Sequence, residues 1–267
     1  MSVGGLRWGF LIVSGLTGLS FGSARAAVLD WGTAGNWTAG APAIGSSVSQ
    51  SFNNDPSHAG NDTTITLTNS GGNWGAGYPV VNTAYNGGTG QKTLAFNYAN
   101  QTTNSPDLNV VIAFTNYTFG VTNVSFSIFD VDYGAGTWID QISGITGLLL
   151  NGTIVAATTV TGSADNLVTL NGTNTVVTGR TANAGGNSSA GNVFISFGNA
   201  VVSQVQFSWA NTDPAKGDQK ISLSDVNYTQ VIIPEFHPGL AGAGLCGLIV
   251  AWQLFRRSRL RLSGNPS

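Results

Sequence analysis

Charged side chains are scarce in this 267-residue chain, where ten Lys and Arg and twelve Asp and Glu make up 8% of the residues. Six of the ten basic residues lie in the first 26 or the last twelve positions, so residues 27–233 hold four basic residues against eleven Asp. Nucleic-acid phosphates require clustered Lys and Arg. The balance therefore argues against nucleic acid as a partner and is compatible with cations or neutral glycans.

Cysteine and histidine are almost absent. The single cysteine, Cys246, lies in an apolar C-terminal run, which excludes disulfides, a thiolate zinc site and a cysteine nucleophile from the body of the chain. His58 is the one histidine before residue 233, and it lies in the polar stretch NNDPSHAGND, where we expect it to be exposed to solvent. The body also lacks a G-x-S-x-G segment that would indicate a His-assisted serine nucleophile.

The first 26 residues have the three parts of an export signal. Arg7 precedes the 14-residue apolar stretch WGFLIVSGLTGLSF, and SARA supplies small residues at Ala24 and Ala26. A membrane span needs about 20 apolar residues. We therefore expect a cleaved signal peptide over 1–26, with the cut after Ala26.

The C-terminal region predicts a membrane helix. Residues 239–255 carry no charge, and the basic cluster at 256–261 would hold its far end in the cytoplasm. Glu235, the only glutamate, precedes this helix. Because residues before a proline disfavour the helical conformation, Glu235 near Pro238 is expected to be extended and accessible.

This order of a Pro-Glu motif, a short apolar helix and an Arg cluster resembles the PEP-CTERM sorting signal of Gram-negative bacteria. Pro234, Glu235 and Phe236 occupy the motif, with Phe where the family usually has Pro, and Arg256 and Arg257 open the basic end. The resemblance implies an exosortase substrate that is anchored at the inner membrane, transiently or permanently, and sorted to the cell surface or the exopolysaccharide matrix. Such tails also carry the label ice-binding protein C-terminal domain, which implies sorting and nothing about ice.

The middle of the chain alternates apolar and polar residues with period two, which predicts strands with one solvent-exposed face. Gly- and Asn-rich breaks such as NSGGNWGAG and NAGGNSSAGN separate these segments. We expect an all-β fold, an antiparallel two-sheet sandwich of jelly-roll type, over residues 27–231, followed by the sorting tail at 232–262. The phase of the alternation slips between Ile128 and Phe129 and between Leu223 and Val226, and each slip predicts a bulge.

Segments of this body are also similar to a pattern in exported bacterial proteins that carry the same sorting tail. They are FDVDYG, WIDQISGITG, QKISLSDVNY and the opening LDWGTAGNWTAG. The resemblance implies a β-sandwich ectodomain and little about its ligand.

Aspartates form the densest group of candidate functional side chains. Asp130, Asp132 and Asp140 lie close in the sequence, and Asp225 follows later. Calcium prefers six to eight oxygen ligands, and paired Asp at a strand end can begin such a shell, so these four are candidate calcium ligands. The alternative is that Asp130 and Asp132 lie on the solvent-exposed face or in the turn of a hairpin.

Three tryptophans, Trp37, Trp74 and Trp138, lie in Gly- and Asn-rich segments. Exposed indole faces there could stack on sugar rings. The alternative is that each Trp plugs an end of the core, because the indole carries a large apolar area with one N–H to satisfy.

Three functions remain open from the sequence. The first is a non-catalytic structural or adhesive protein of the cell envelope, sorted by its tail. The second is a lectin-like module that binds glycans through the tryptophans with calcium at the aspartates. The third, a secreted glycan hydrolase or lyase, requires two carboxyl groups facing each other across a cleft.

Overall fold

The structure is a computed structural model, and it describes residues 24–56, 58–99, 107–181, 183–215 and 217–232. These residues form an all-β, antiparallel structure that contains no helix. The strands are β1 (Ala26–Leu29), β2 (Ser46–Phe52), β3 (Thr63–Asn69), β4 (Asn73–Trp74), β5 (Val80–Asn82), β6 (Thr93–Ala99), β7 (Leu108–Phe114), β8 (Val121–Phe129), β9 (Tyr133–Gly134), β10 (Trp138–Leu149), β11 (Ile154–Ala156), β12 (Thr159–Gly162), β13 (Asn166–Thr169), β14 (Val176–Gly179), β15 (Val193–Ser196), β16 (Val202–Asn211), β17 (Asp218–Leu223) and β18 (Val226–Gln230).

The alternation that predicted these strands is confirmed by their burial. In β8 and β16 the apolar side chains of each alternating run are buried, whereas the Ser and Gln residues between them are half-exposed. Successive side chains of a strand point to opposite faces of the sheet. In the alternating runs of β8 and β16, one face therefore contributes to the core and the other is partly exposed to solvent.

The strand pairings follow two series. One runs β2, β3, β7, β16, β10, β14 and β13. The other centres on β8, which pairs with β15 on one side and with β17 and β18 on the other. The series meet where Val202 pairs with Val121, so the antiparallel sheet curls. Phe126 and Phe207 meet inside the curl, with ring centroids 6.1 Å apart.

Both predicted slips occur where a strand is interrupted. Leu223 pairs with Ile128, and Asn227 pairs with Ser125, so four steps on one side match three along β8. One extra residue is accommodated there, as a bulge requires. At the other slip β8 ends at Phe129, and Asp130 adopts a left-handed backbone with φ of 66°.

The predicted export signal and sorting tail fall almost entirely outside the described residues. Of their candidate residues, Ala24 and Ala26 are described, and both are exposed, with Ala26 opening strand β1. Pro234, Glu235, Phe236, Arg256, Arg257 and the predicted helix at 239–255 lie beyond residue 232. Within the described part of the chain, no helix has the length and apolar character that a membrane crossing requires.

Candidate functional site

A pocket of about 220 Å³ opens where β8 ends, and we call it the Asp130 pocket. It lies between the turn that joins β8 to β10, the start of β17 and the loop before β15. Its volume is below the roughly 300–1,000 Å³ of pockets that hold drug-sized ligands, so it suits a small molecule or a single residue of a larger ligand. Its lining residues are Tyr85, Asp130, Asp132, Trp138, Asn183, Gly185, Gly186, Asp218, Gln219 and Lys220.

Trp138 forms an aromatic wall of this pocket. The short pairing of β9 with β10 places Trp138 opposite Gly134, and a side chain at Gly134 would collide with the indole ring. The indole Nε1–H donates to Asp132 Oδ1 at 2.8 Å. The ring is thus held by one packing contact and one hydrogen bond, while the side chain remains half-exposed.

Asp132 and Asp140 are structural carboxyl groups. Asp132 Oδ2 accepts a hydrogen bond from the backbone N–H of Ala184 at 2.7 Å, which ties the loop before β15 to the pocket. Asp140 lies in the core, where its Oδ1 accepts from the Nε1–H of Trp209 at 2.9 Å and its Oδ2 from the N–H of Asp132 at 3.2 Å. Both oxygens of each carboxyl group therefore have donors from the protein.

Asp130 differs from its two neighbours. Its side chain is only 8% exposed, and its Oδ1 is buried without a hydrogen-bond partner among the described atoms. Its left-handed backbone is uncommon for a residue with a side chain, although Asp tolerates it better than most. Such outliers concentrate at functional sites, where the surrounding structure holds them in place.

Burial raises the pKa of all three carboxyl groups, because removal from water disfavours the charged form. For Asp130, burial and the nearby charge of Asp132 raise the pKa to about 7, against an opposing effect from Lys220. The pKa of the fully buried Asp140 is raised well above its usual range. Perturbed groups in a pocket are candidates for function.

Tyr85 and Lys220 supply the pocket lining with a second aromatic ring and a cation. Lys220 Nζ lies 5.7 Å from the centre of the Tyr85 ring. A hydrogen bond with Tyr85 raises the pKa of Lys220, which keeps the ammonium group charged. Tyr85 is held in turn by Gly186, where a side chain would collide with its ring. The pocket therefore presents hydrogen-bond acceptors, a charged donor and two aromatic groups.

The carboxyl groups of the pocket do not by themselves make a metal centre. Within the described ranges, no group of three or more His, Cys, Asp or Glu side chains is arranged to hold a metal ion. Asp225 lies between β17 and β18, beside the middle of β8, and accepts from the N–H of Trp31 at 2.9 Å. The structure thus brings Asp130, Asp132 and Asp140 together but not Asp225, and calcium at these residues stays a prediction.

Compared with protein-family models, with curated proteins and with solved structures, the chain shows no match.

The other two candidate tryptophans lie outside the pocket. Trp37 is 8% exposed, belongs to the core, and donates its Nε1–H to Gly40 O at 2.7 Å. Trp74 is half-buried against Tyr98 at a centroid distance of 5.0 Å and donates to Pro42 O. Both match the interpretation of Trp as a plug of the core, so a role in glycan binding stays a prediction chiefly for Trp138.

His58 is not the exposed loop residue that the sequence predicted. Its side chain is 25% exposed, and its Nδ1 lies 3.5 Å from Asp55 Oδ2 and 3.7 Å from Asp62 Oδ1. The prediction was wrong because the two carboxyl groups and the ring of Tyr117 draw the imidazole inward. His58 is a structural residue remote from the pocket lining.

Sequence reasoning missed Tyr85, Asn183 and Lys220 as pocket residues. The Gly- and Asn-rich loop around Asn183 was visible only as a strand break. No local pattern marks Tyr85 or Lys220, since pairing of β17 with β6 and β8 is what carries Lys220 to the end of β8.

Proposed function

We propose that this protein is an exported, non-catalytic protein of the cell envelope that adheres to glycans by holding one saccharide unit in the Asp130 pocket. The body is proposed to be a two-sheet sandwich of jelly-roll type that presents this pocket at one end. The sorting tail, through an exosortase, would deliver the body to the cell surface or the exopolysaccharide matrix. Calcium would act as a bridging ion at Asp130, whose Oδ1 accepts no hydrogen bond among the described atoms, and the EDTA arm of the binding experiment tests this.

The observation that carries the proposal is the half-exposed indole of Trp138 in one pocket with the carboxyl group of Asp130, which is nearly buried and whose Oδ1 has no hydrogen-bond partner among the described atoms. A pyranose presents an apolar C–H face and a rim of hydroxyl groups. The indole can cover the first, because an aromatic ring supplies a large apolar area. Asp130, Asn183 and Lys220 can pair with the second.

Replacing Trp138 with Ala tests this proposal. Loss of the aromatic wall is expected to weaken glycan binding at least tenfold, the equivalent of about 1.4 kcal/mol. Binding is measured on a glycan array and then by titration calorimetry with the strongest glycan, with and without EDTA. Loss of binding in EDTA would support a calcium-bridged ligand, and unchanged binding a direct one.

Phe119→Ala is the matched control, because Phe119 is an aromatic residue that is 44% exposed and does not line the pocket. It is expected to bind as the wild type does. If Trp138→Ala keeps full affinity, or if the wild type binds no glycan at millimolar concentration, the proposal is wrong.

A hydrolase or lyase is the second candidate, because Asp130 and Asp132 line one pocket. The same incubations separate the two functions: a binding protein leaves the bound glycan intact, whereas an enzyme releases shorter products. The support for binding is that the hydrogen bonds from Trp138 and Ala184 already occupy both oxygens of Asp132.

The proposed sorting has its own test, which does not depend on the pocket. The intact mass of protein released from the cell surface is expected to correspond to a chain that begins near Ala27 and ends near Glu235. A mass that includes Ser267 would show that the tail stays as an anchor. Mature protein found soluble in the cytoplasm would contradict export.

A further inference from the structure

A grid of uncharged side chains covers the outward side of five paired strands, with one irregularity at a bulge in β10 between Ser143 and Thr146. β2, β3, β7, β16 and β10 lie side by side, and their registers align three rows of five residues. We call this surface the hydroxyl face. Its rows are Ser47, Thr68, Asn109, Ser208 and Ser143; then Ser49, Thr66, Val111, Gln206 and Thr146; then Ser51, Thr64, Ala113, Gln204 and Leu148.

The composition of this face is neutral and rich in hydroxyl groups. Nine of the fifteen side chains carry a hydroxyl, three carry an amide, three are apolar, and none is charged. Thr146, which is 8% exposed, is the one buried member. A sheet spaces such groups about 4.8 Å apart across strands and about 6.8 Å apart along them. Twelve of the fifteen side chains can therefore both donate and accept hydrogen bonds, and the three apolar ones lie on β7 and β10.

The hydroxyl groups on β2 and β3 are already paired with one another. Ser49 Oγ and Thr66 Oγ1 are 2.7 Å apart, and the pairs on either side of them, Ser47 with Thr68 and Ser51 with Thr64, are 2.8 Å apart. A hydroxyl that keeps a hydrogen bond when water leaves loses less free energy than an unpaired one. Removing water from the β2–β3 part of this face is therefore inexpensive, and each pair still has one O–H and several lone pairs to offer.

A shallow depression of about 60 Å³ lies at the β10 side of the face, lined by Thr146, Gly147, Leu148, Ile154, Gln204 and Gln206. It is too small for a ligand pocket, whose usual volume is roughly 300–1,000 Å³. Two amide side chains and the exposed Ile154 surround it. It suits a protruding group, such as a hydroxymethyl, on a larger object that lies across the face.

We propose that the hydroxyl face docks on a neutral polysaccharide fibre, as a second contact beside the Asp130 pocket. A neutral partner rich in hydroxyl groups matches the face in charge and chemistry. The grid covers about 490 Å² when the strand spacings are multiplied out, less than the roughly 800 Å² per partner of a stable protein dimer. A contact of this size is expected to bind weakly at any one position, and a repeating polymer offers many equivalent positions. The proposal rests on the hydroxyl face and not on the pocket.

The test is co-sedimentation of the full chain, in a detergent without sugar groups, with three insoluble neutral polysaccharides: microcrystalline cellulose, chitin and curdlan. Wild-type protein is expected to pellet with at least one. Ser49→Lys and Thr66→Lys are each expected to pellet at least about fivefold less, because a lysine ammonium would lose water against a neutral surface. Thr161→Lys, an exposed Thr on β12 outside the face, is the matched control and is expected to pellet as the wild type does.

Circular dichroism and the thermal midpoint show whether each lysine variant folds, and Thr66→Ser, which keeps the hydroxyl, is expected to retain binding. Trp138→Ala separates this proposal from the pocket: a variant that loses soluble glycans but still pellets supports two contacts. Pelleting that is lost with Trp138→Ala and kept with Thr66→Lys would overturn the proposal. So would failure to pellet with all three polymers, or concentration-dependent dimers in sedimentation velocity that Thr66→Lys abolishes.

Discussion

Gly179→Ala is expected to destabilise the protein by about 4 kcal/mol or more. Single substitutions have effects of this size only through a few mechanisms, such as severe overpacking or loss of buried polar contacts. A Cβ on Gly179 would lie 1.9 Å from the carbonyl oxygen and 2.2 Å from the carbonyl carbon of Asp132. Neither side can move easily, because Asp132 O accepts from Asp140 N at 3.0 Å and Gly179 pairs with Asn166. Displacement of Asp132 would also break its hydrogen bond to Trp138.

The free energy of unfolding, from urea titration followed by Trp fluorescence, measures this effect. Gly152→Ala serves as the comparison, because nothing lies within 4 Å of its Cβ although its φ is +83°. The left-handed backbone alone should cost about 1–2 kcal/mol there. Equal losses in the two variants would mean that the close approach of Gly179 to Asp132 is wrong.

Asp130→Asn is expected to stabilise the protein at pH 8. The pKa of Asp130 is about 7 in the folded state against 3.8 for the ordinary group. Between these values the folded state binds more protons than the unfolded state, so stability falls as the pH rises from about 4 to 7 and stays lower above that. Three pKa units correspond to at most about 4 kcal/mol.

The measurement is urea unfolding of wild type and Asp130→Asn at pH 4 and pH 8, in EDTA. The variant is expected to be more stable at pH 8, to differ little at pH 4, and to show a smaller loss between the two. Asn also tolerates the left-handed backbone of residue 130. A variant that is less stable than the wild type at pH 8 would contradict the assignment of Asp130 as a destabilising buried acid.

The loss of stability that Asp130 causes at neutral pH is relevant to the proposed function. A carboxyl group that lowers stability at neutral pH, on an uncommon backbone, is a poor structural choice, because Asn would fit the same place. Destabilising groups are commonly tolerated where activity needs them. The same variant should therefore gain stability and lose glycan affinity, a combination that a purely structural role for Asp130 would not produce.

Much of the fold could be predicted from the sequence because a strand records its environment locally. Alternating Ser and apolar residues around Phe126, and Gln and apolar residues around Phe207, predicted which side chains are buried. The extra residue between Leu223 and Val226 was visible as a slip of that alternation. His58 could not be placed correctly, since the carboxyl groups of Asp55 and Asp62 that hold it inward act through the shape of the loop.

By itself the sequence determined the all-β class, the low charge content of the body and the clustering of Asp130, Asp132 and Asp140, because these depend on composition and on neighbours along the chain. Only the tertiary structure decided that Trp138 lines a pocket with Tyr85 and Lys220 while Trp37 is buried in the core. It also decided that fifteen uncharged side chains form one grid. The physical reason is strand register, which is set by pairing between distant segments, so side chains far apart in the chain meet only once the sheet has curled.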